Sequence, residues 1–253
     1  MQGGVQVWTA NPDGLGCAAC QAFAGMLDPM ERERASRLQF DSDRRAFVVA
    51  HAMRRMALGL ALGIDPQEVR FGSGPHGQPL LLGNGGDAPF FSLTRSRGLV
   101  AVAVDWRGPV GIDVELLRDG VDAGLLEAYM DHGEQPPQDD EAFYAHWTAL
   151  EAYWKARGLG LSTSHPRIAL RPCGDGCLEV LVGEARSASG LVVMRMPGPA
   201  THVLSLACTQ AAPVQWVELE ALAPRPPAQP QKAETSCKSG DCWLDSMPSI
   251  FSS

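Results

Sequence analysis

Two long amphipathic helices, each followed by short strands, constrain the fold of this 253-residue chain more than any other feature. Apolar residues recur at helical spacing in residues 41–63 and again in residues 139–161, and glycines end both segments. The apolar positions are Phe47, Ala50, Met53, Ala57 and Leu60 in the first helix, and Phe143, Trp147, Leu150 and Trp154 in the second. Asp41 or Ser42 is expected to cap the first helix. Helices and short strands in this order predict an α+β fold.

The chain divides into two similar lobes and a tail. We place the N-terminal lobe at residues 1–108 and the C-terminal lobe at residues 109–220, because both long helices open alike, with DRRAF at 43–47 and DDEAF at 139–143. Residues 221–253 are rich in Pro, Ser, Lys and Gln and show no sustained periodicity. We expect them to form a flexible, disordered tail.

Charge and hydropathy exclude several classes of protein. The formal net charge of −8 argues against a nucleic-acid partner. No stretch reaches the roughly 20 apolar residues of a membrane span, and the first residues lack the pattern of a signal peptide. Cys17 and Cys20 have no complementary second pair, which favours reduced thiols. We expect a cytoplasmic protein with no membrane partner.

Arginines cluster in the first lobe. Seven fall between positions 31 and 55: Arg32, Arg34, Arg37, Arg44, Arg45, Arg54 and Arg55. One interpretation is a phosphate-bearing ligand or an acidic partner. The other is a solvated helix face with ion pairs between residues four apart.

Carboxylates and one lysine carry the clearest chemical signal. Asp113 and Glu115 alternate along an apolar strand, so both point to one face. This pairing suits a divalent cation, although a strand with both acids on its wet side would look the same. Glu151 and Lys155 share a face of the second helix, where they form either a functional pair or a surface ion pair.

Taken together, these segments resemble the 4′-phosphopantetheinyl transferase superfamily, and in particular its two-lobed Sfp type. GIDVE at 111–115 is similar to the family's first signature, and WTALEAYWKARGLGL at 147–161 to its second. Three further segments match in order: RAFVVAHAMRR at 45–55, GPHGQP at 74–79 and FSLTRSRGLVAVAVD at 91–105. The resemblance implies a pseudo-dimer of two lobes, each with a small, mainly antiparallel sheet and a long helix.

The resemblance also implies a reaction. The family transfers 4′-phosphopantetheine from coenzyme A (CoA) to a serine of an apo acyl or peptidyl carrier protein and releases 3′,5′-ADP. Such enzymes serve fatty acid biosynthesis or secondary metabolism, and members of this size usually act as monomers. Carrier proteins are generally acidic, so nearby arginines are plausible contacts.

The resemblance assigns roles to individual residues. Asp113, Glu115 and Glu151 would hold Mg²⁺ or Mn²⁺ against the pyrophosphate of CoA. Glu151 would also be the general base for the carrier serine, directly or through a metal-bound water, and Lys155 would contact the pyrophosphate and stabilise the leaving phosphate. The remaining positions would bind the nucleotide: Arg45 for the 3′-phosphate, and Gly77, Gln78, Pro79, Thr94, Arg95 and Ser96 along the nucleotide.

Three departures from the family pattern leave alternatives open. Arg95 stands where the family has a histidine that contacts the 3′-phosphate, Gln78 replaces a lysine, and Leu150 replaces another. They motivate a first alternative, a non-catalytic relative that binds CoA or a carrier protein. A second alternative is another Mg²⁺-dependent phosphoryl-transfer enzyme that uses a different nucleotide.

Overall fold

The expected helices and strand runs are present in the computed structural model, which describes residues 4–74, 77–83, 88–126, 129–130, 135–159, 166–174, 176–209 and 213–219. Four α-helices and eleven strands are described there, in the order β1 (Val5–Ala10), α1 (Cys17–Met26), α2 (Pro29–Ser36), α3 (Asp41–Leu62), β2 (Arg70–Ser73), β3 (Pro79–Leu82), β4 (Phe90–Ser96), β5 (Leu99–Asp105), β6 (Gly111–Leu116), α4 (Asp140–Ala156), β7 (Ile168–Gly174), β8 (Cys177–Val182), β9 (Ser187–Met196), β10 (His202–Cys208) and β11 (Val214–Glu218). A 3₁₀ turn covers Ala123–Leu126. The α+β class is confirmed.

The ends of the two long helices, α3 and α4, are determined by a glycine and by helix capping. Gly63 closes α3 with a positive φ of 69°, a conformation that glycine adopts without strain. The predicted cap of α3 by Asp41 or Ser42 is wrong, because Phe40 precedes the helix without a side-chain cap and Asp41 is already its first residue. Asp139 does cap α4, by accepting a hydrogen bond from the amide of Ala142 at 2.7 Å. None of the described helices is both long and apolar enough to cross a bilayer.

The first sheet has the strand order β11-β1-β5-β4 and carries α3 on one face, with α1 packed against α3. Its strands pair in antiparallel fashion except β11, which runs parallel to β1. Val100, Val102 and Val104 of β5 point into a core shared with α3, while the alternate residues of β5 point to the other face. The strand period of two therefore supplies this sheet with two apolar faces.

The second sheet is antiparallel throughout, in the order β6-β10-β9-β8-β7, and α4 packs against it. A further apolar core lies between the two sheets and includes Ala101 and Ala103 from β5 with Ile112 and Val114 from β6. The layers therefore run from α1 and α3 through the first sheet and the second sheet to α4.

The sequence patterns do not predict every element of the fold. Strands β1 and β11 and helix α1 have no counterpart among the predicted elements. Since β11 follows residue 109 in the chain but lies in the first sheet, the last strand crosses the expected division. The lobe boundary at residues 108 and 109 stays a prediction, and the tail at 221–253 lies outside the described residues.

A buried group of charged side chains, here the helix cluster, joins α2 to α3; its members are Asp28, Glu31, His51, Arg54 and Arg55. Glu31 accepts hydrogen bonds from Arg54 Nη2 at 2.6 Å and Arg55 Nε at 2.9 Å. Arg55 also donates to Asp28 at 2.8 Å and to the carbonyl of Val69 at 2.7 Å. Two of the seven clustered arginines thus hold the fold together, which neither interpretation of their run anticipated.

Candidate active site

Strand β6 and helix α4 meet closely and bring the two signature segments together. Gly111 begins β6 directly against α4: a β-carbon added there would lie 1.9 Å from the carbonyl oxygen of Ala152. Only glycine allows this approach, because any side chain would collide with the helix backbone. The close contact brings Lys155 of α4 within hydrogen-bonding distance of Asp113 on β6.

Lys155 lies among oxygen atoms of β4 and β6. Its Nζ donates to Asp113 Oδ1 at 2.5 Å, to Thr94 Oγ1 at 3.2 Å and to the carbonyl of Ile112 at 3.4 Å. The ion pair is largely buried, since the side chain of Asp113 is 6% exposed and that of Lys155 29%. Lys155 is therefore a member of the site and not half of a surface ion pair with Glu151.

Hydroxyl side chains of β4 hold β6 in place. Alternate residues of β4 accept hydrogen bonds from alternate backbone amides of β6, in the pairs Ser92 with Ile112 at 3.1 Å, Thr94 with Val114 at 3.3 Å and Ser96 with Leu116 at 3.0 Å. The hydroxyl of Thr94 also donates to Asp113 Oδ1 at 2.9 Å, and that of Ser96 to Glu115 Oε2 at 3.3 Å. One strand therefore orients both acids of the other.

These groups surround a cavity of about 310 Å³. Its lining residues are Leu93, Thr94, Arg95, Asp113, Glu115, Glu151 and Lys155. We call the last four the cavity cluster. Six of the residues that sequence analysis proposed for the site thus lie around one space.

The pKa values of the three carboxyl groups in this cluster are all raised. Burial raises the pKa of Asp113, and the nearby Lys155 only partly offsets it. Burial and the charge of Asp113 raise the pKa of Glu115. The same two causes raise the pKa of Glu151 to about 7, against the opposing effect of Lys155. Three acids therefore lie close to Lys155 in a poorly solvated space, and Lys155 does not fully offset their burial.

The cluster fits a hard divalent cation in its chemistry. Oδ2 of Asp113 is buried and has no hydrogen-bond partner among the described residues. A buried carboxylate oxygen of this kind is costly unless a cation or donor meets it, and carboxylates are the ligands that Mg²⁺ prefers. In the described part of the chain, however, no three Asp, Glu, His or Cys side chains lie close enough together to hold a metal ion in this arrangement. Lys155 is the cation beside Asp113 in this arrangement.

Other predicted nucleotide-binding residues lie outside the cavity lining. The Gly77–Pro79 turn joins β2 to β3, where the backbone carbonyl of Gln78 accepts a 2.7 Å hydrogen bond from the amide of Gly74. The Gln78 amide lies against Gly158, which follows α4. Half-buried Arg45 lies on α3 near Cys20 of α1, where its charge opposes the rise that burial causes in the pKa of the Cys20 thiol. Gly160 and Leu161 of the second signature lie outside the described residues.

Two supporting interactions of the site were not predicted from the sequence. Ser92 extends the alternation of Thr94 and Ser96 by one step, so the strand period of two could have revealed it. The hydroxyls of Thr148 on α4 and Ser205 on β10 lie 2.8 Å apart, and both residues are buried. They are 57 positions apart in the chain, so no local pattern links them.

Comparisons with known proteins bear on the same region. The family model of the 4′-phosphopantetheinyl transferase superfamily matches residues 109–190, which contain β6 and α4. The 4′-phosphopantetheinyl transferase HetI of Nostoc sp. is 32% identical over 63% of this chain and 71% of its own length. A 4′-phosphopantetheinyl transferase of Bacillus subtilis is 27% identical over 59% of this chain and 68% of its own. A putative 4′-phosphopantetheinyl transferase of Synechocystis sp. is 26% identical over 62% of this chain and 66% of its own.

Proposed function

The chain belongs to the 4′-phosphopantetheinyl transferase superfamily of enzymes, and we propose that it transfers 4′-phosphopantetheine from CoA to a serine of an apo acyl or peptidyl carrier protein. In this reaction the serine oxygen bonds to the phosphorus that carries the pantetheine arm. The P–O bond between this phosphorus and the bridging oxygen of the pyrophosphate breaks, and 3′,5′-ADP leaves with the electron pair of that bond. The observation that carries the proposal is the convergence of Asp113, Glu115, Glu151 and Lys155 on one cavity.

We propose Asp113, Glu115 and Glu151 as the residues that hold Mg²⁺, or Mn²⁺ in its place. The excess of carboxylates over cations in the cavity lining supports this assignment, as does Oδ2 of Asp113, which lacks a hydrogen-bond partner within the described part of the chain. When bound, such a cation neutralises charge on the phosphate oxygens. It also explains how three acids with raised pKa values could be ionised together.

Glu151 is the proposed general base. Without a cation the pKa of Glu151 is about 7, and a bound cation would favour its ionised form, which is the form that accepts a proton. Glu151 would take the proton from the carrier serine as the new bond forms. Lys155, held by Asp113 and Thr94, would donate hydrogen bonds to the pyrophosphate and to the departing phosphate.

The nucleotide is proposed to extend from the cavity toward the first lobe. Arg95 lines the cavity on that side, beside Thr94 and Ser96 on the same strand. The Gly77–Pro79 turn and Arg45 would contact the nucleotide farther out. Arg95 keeps a positive charge where the family has a histidine, and it can bind a phosphate through two parallel hydrogen bonds.

The proposed enzyme is a monomeric pseudo-dimer with its site between two lobes. Each of its two larger sheets carries one long helix, α3 or α4, which supports this view. The cavity is lined from both halves, by β4 on one side and by β6 and α4 on the other. A carrier protein would dock beside this cleft.

Intact-mass spectrometry of an apo carrier protein incubated with the protein, CoA and Mg²⁺ tests the function. We expect the carrier to gain one phosphopantetheinyl group, and Glu151→Gln to abolish the gain. Glu141→Gln is the matched control, because Glu141 lies on the same helix but is exposed and pairs with Arg195. A wild-type protein that binds CoA but modifies none of several carriers would instead support the non-catalytic relative.

A further inference from the structure

Arg95 lies over the aromatic ring of a buried residue that the proposed mechanism does not use. The guanidinium carbon of Arg95 is 5.5 Å from the centroid of the Phe47 ring. Phe47 belongs to α3 and is 2% exposed, whereas Arg95 is exposed and lines the cavity. The Phe47 ring therefore makes a cation–π contact with the guanidinium of Arg95, which lines the cavity.

A second guanidinium approaches the same ring. Arg34 of α2 lies with its guanidinium carbon 5.8 Å from the Phe47 centroid. The charges of Arg34 and Arg95 repel each other, and Asp43 is the carboxylate that acts most strongly on Arg95. Two arginines held near one ring suit a ligand group with two negative charges, and guanidinium groups bind phosphate in this way.

The Phe47 ring is itself held in position. His51, one turn further along α3, stacks on it with ring centroids 3.8 Å apart and planes inclined by 21°. Nδ1 of His51 lies 3.1 Å from Glu31 Oε1, which places it in the helix cluster. The Phe47 ring under Arg95 is thus connected through His51 to the helix cluster.

We propose that Phe47 is a positioning residue: its ring holds Arg95 toward a phosphomonoester, so that the enzyme distinguishes nucleotides with a 3′-phosphate from those without one. The proposal rests on the proposed function, which assigns Arg95 to the nucleotide. A free arginine side chain must lose many rotamers to bind a phosphate, and a preformed contact with an aromatic face reduces that loss. Phe47 acts through Arg95 and touches no reacting atom.

Calorimetric binding of 3′,5′-ADP and of 5′-AMP, which differs from it only in lacking the 3′-phosphate, isolates this role because it needs no turnover. We expect wild type to prefer 3′,5′-ADP, and Phe47→Leu to reduce this preference about fivefold by weakening 3′,5′-ADP alone. Phe143→Leu is the matched control, because Phe143 is a buried phenylalanine of α4 that stacks on Trp147. It should leave the preference unchanged.

Two further variants keep the test decisive. Phe47→Met fills the space without an aromatic face and must lower the preference as Phe47→Leu does; if Phe47→Leu fails to fold, this variant carries the test. Phe47→Tyr keeps the aromatic ring and must retain the preference. In an Arg95→Ala background, Phe47→Leu should have no further effect on the preference, because both changes remove the same interaction.

Each alternative outcome has a separate meaning. Equal losses of affinity for 3′,5′-ADP and 5′-AMP in Phe47→Leu, or full additivity with Arg95→Ala, would overturn the positioning role. It is also overturned if wild type transfers phosphopantetheine yet binds the two nucleotides equally well. If wild type transfers nothing but shows a preference that depends on Phe47, the proposed function fails and the positioning role stands.

Discussion

The helix cluster and the cavity cluster both gather acidic and basic side chains that are buried or half-buried, yet the pKa values of Glu31 and Glu151 shift in opposite directions. In the helix cluster, burial opposes ionisation of Glu31, but hydrogen bonds from His51 and the Asp28 amide and the charges of Arg55 and Arg54 outweigh it and lower its pKa to about 2. In the cavity cluster, burial and neighbouring acids raise the pKa of Glu151 to about 7.

The difference lies in the balance of charge around each acid. Glu31 and Asp28 are matched by two arginines, so the charges of the helix cluster are balanced, although Nε of Arg54 has no hydrogen-bond partner among the described residues. Asp113, Glu115 and Glu151 share the charge of Lys155, and exposed Arg118 acts in addition on Glu115 alone among the three. A balanced cluster stabilises the fold, whereas an unbalanced one is arranged for a further cation or a proton.

The largest expected change in stability follows from a substitution in the helix cluster, where the charges are balanced. Glu31→Gln should lower the free energy of unfolding by about 3–5 kcal/mol, because it leaves the buried Arg54 and Arg55 without their shared carboxylate. Urea denaturation followed by circular dichroism measures the change. Glu33→Gln is the control on the same helix, since Glu33 is exposed and should cost well under about 1 kcal/mol. Similar losses in both variants would remove the distinction between a buried and a surface pair.

The stability that the helix cluster contributes should be lost at acidic pH, as Glu31 is protonated. The pKa of Glu31 is about 2 in the folded protein against an ordinary value of 4.5, so the folded state favours its ionised form. Its contribution of about 3 kcal/mol is complete above pH 4.5 and is lost as the pH falls toward 2. Urea denaturation from pH 7 to pH 3 should show the stability gap between wild type and Glu31→Gln narrowing in that range. A gap that is as wide at pH 3 as at pH 7 would contradict the pKa shift.

A divalent cation should stabilise the folded protein by binding to the cavity cluster, where acidic side chains are in excess. At ten times its Kd, Mg²⁺ should raise the free energy of unfolding by about 1.4 kcal/mol through binding to the folded state alone. Thermal denaturation with MgCl₂, compared with NaCl of equal ionic strength, measures this. Asp113→Asn should abolish the response and Glu33→Gln should keep it. An equal rise in Tm with both salts would show that the cavity cluster does not hold the ion.

The smallest expected effect on stability is that of Glu151→Gln. Glu151→Gln removes one of three acids whose ionised form is disfavoured, so the free energy of unfolding measured in EDTA at neutral pH should stay within about 1 kcal/mol of wild type. Urea denaturation beside the transfer assay tests both properties of this variant. A loss of 3 kcal/mol or more would mean that Glu151 supports the fold as Glu31 does.

Sequence patterns were sufficient for the parts of the fold and site that depend on local order. The alternation of Asp113 and Glu115, and the helical spacing of Glu151 and Lys155, bring those side chains to the faces that line one cavity. The resemblance to the superfamily rests on the same residues, and the comparisons confirm it. Their assignment to metal and catalysis stays a prediction.

Other features depend on contacts between distant parts of the chain. The arginine run looked like a ligand site or a wet helix face, but Arg54 and Arg55 reach a glutamate 23 and 24 positions away. Strand β11 pairs with β1 from the opposite end of the described chain. Side-chain type and spacing cannot reveal such partners, because packing between elements selects them.

The hydroxyls of β4 have a consequence for solubility. β6 is an outer strand of its sheet, and an outer strand exposes backbone amides and carbonyls that can recruit strands from other molecules. Here Ser92, Thr94 and Ser96 accept from every second amide of β6, and Lys155 donates to the carbonyl of Ile112. The side chains that orient the acids thus also deny β6 to a foreign strand, so a chain that lost them would lose its protection against aggregation together with its cavity.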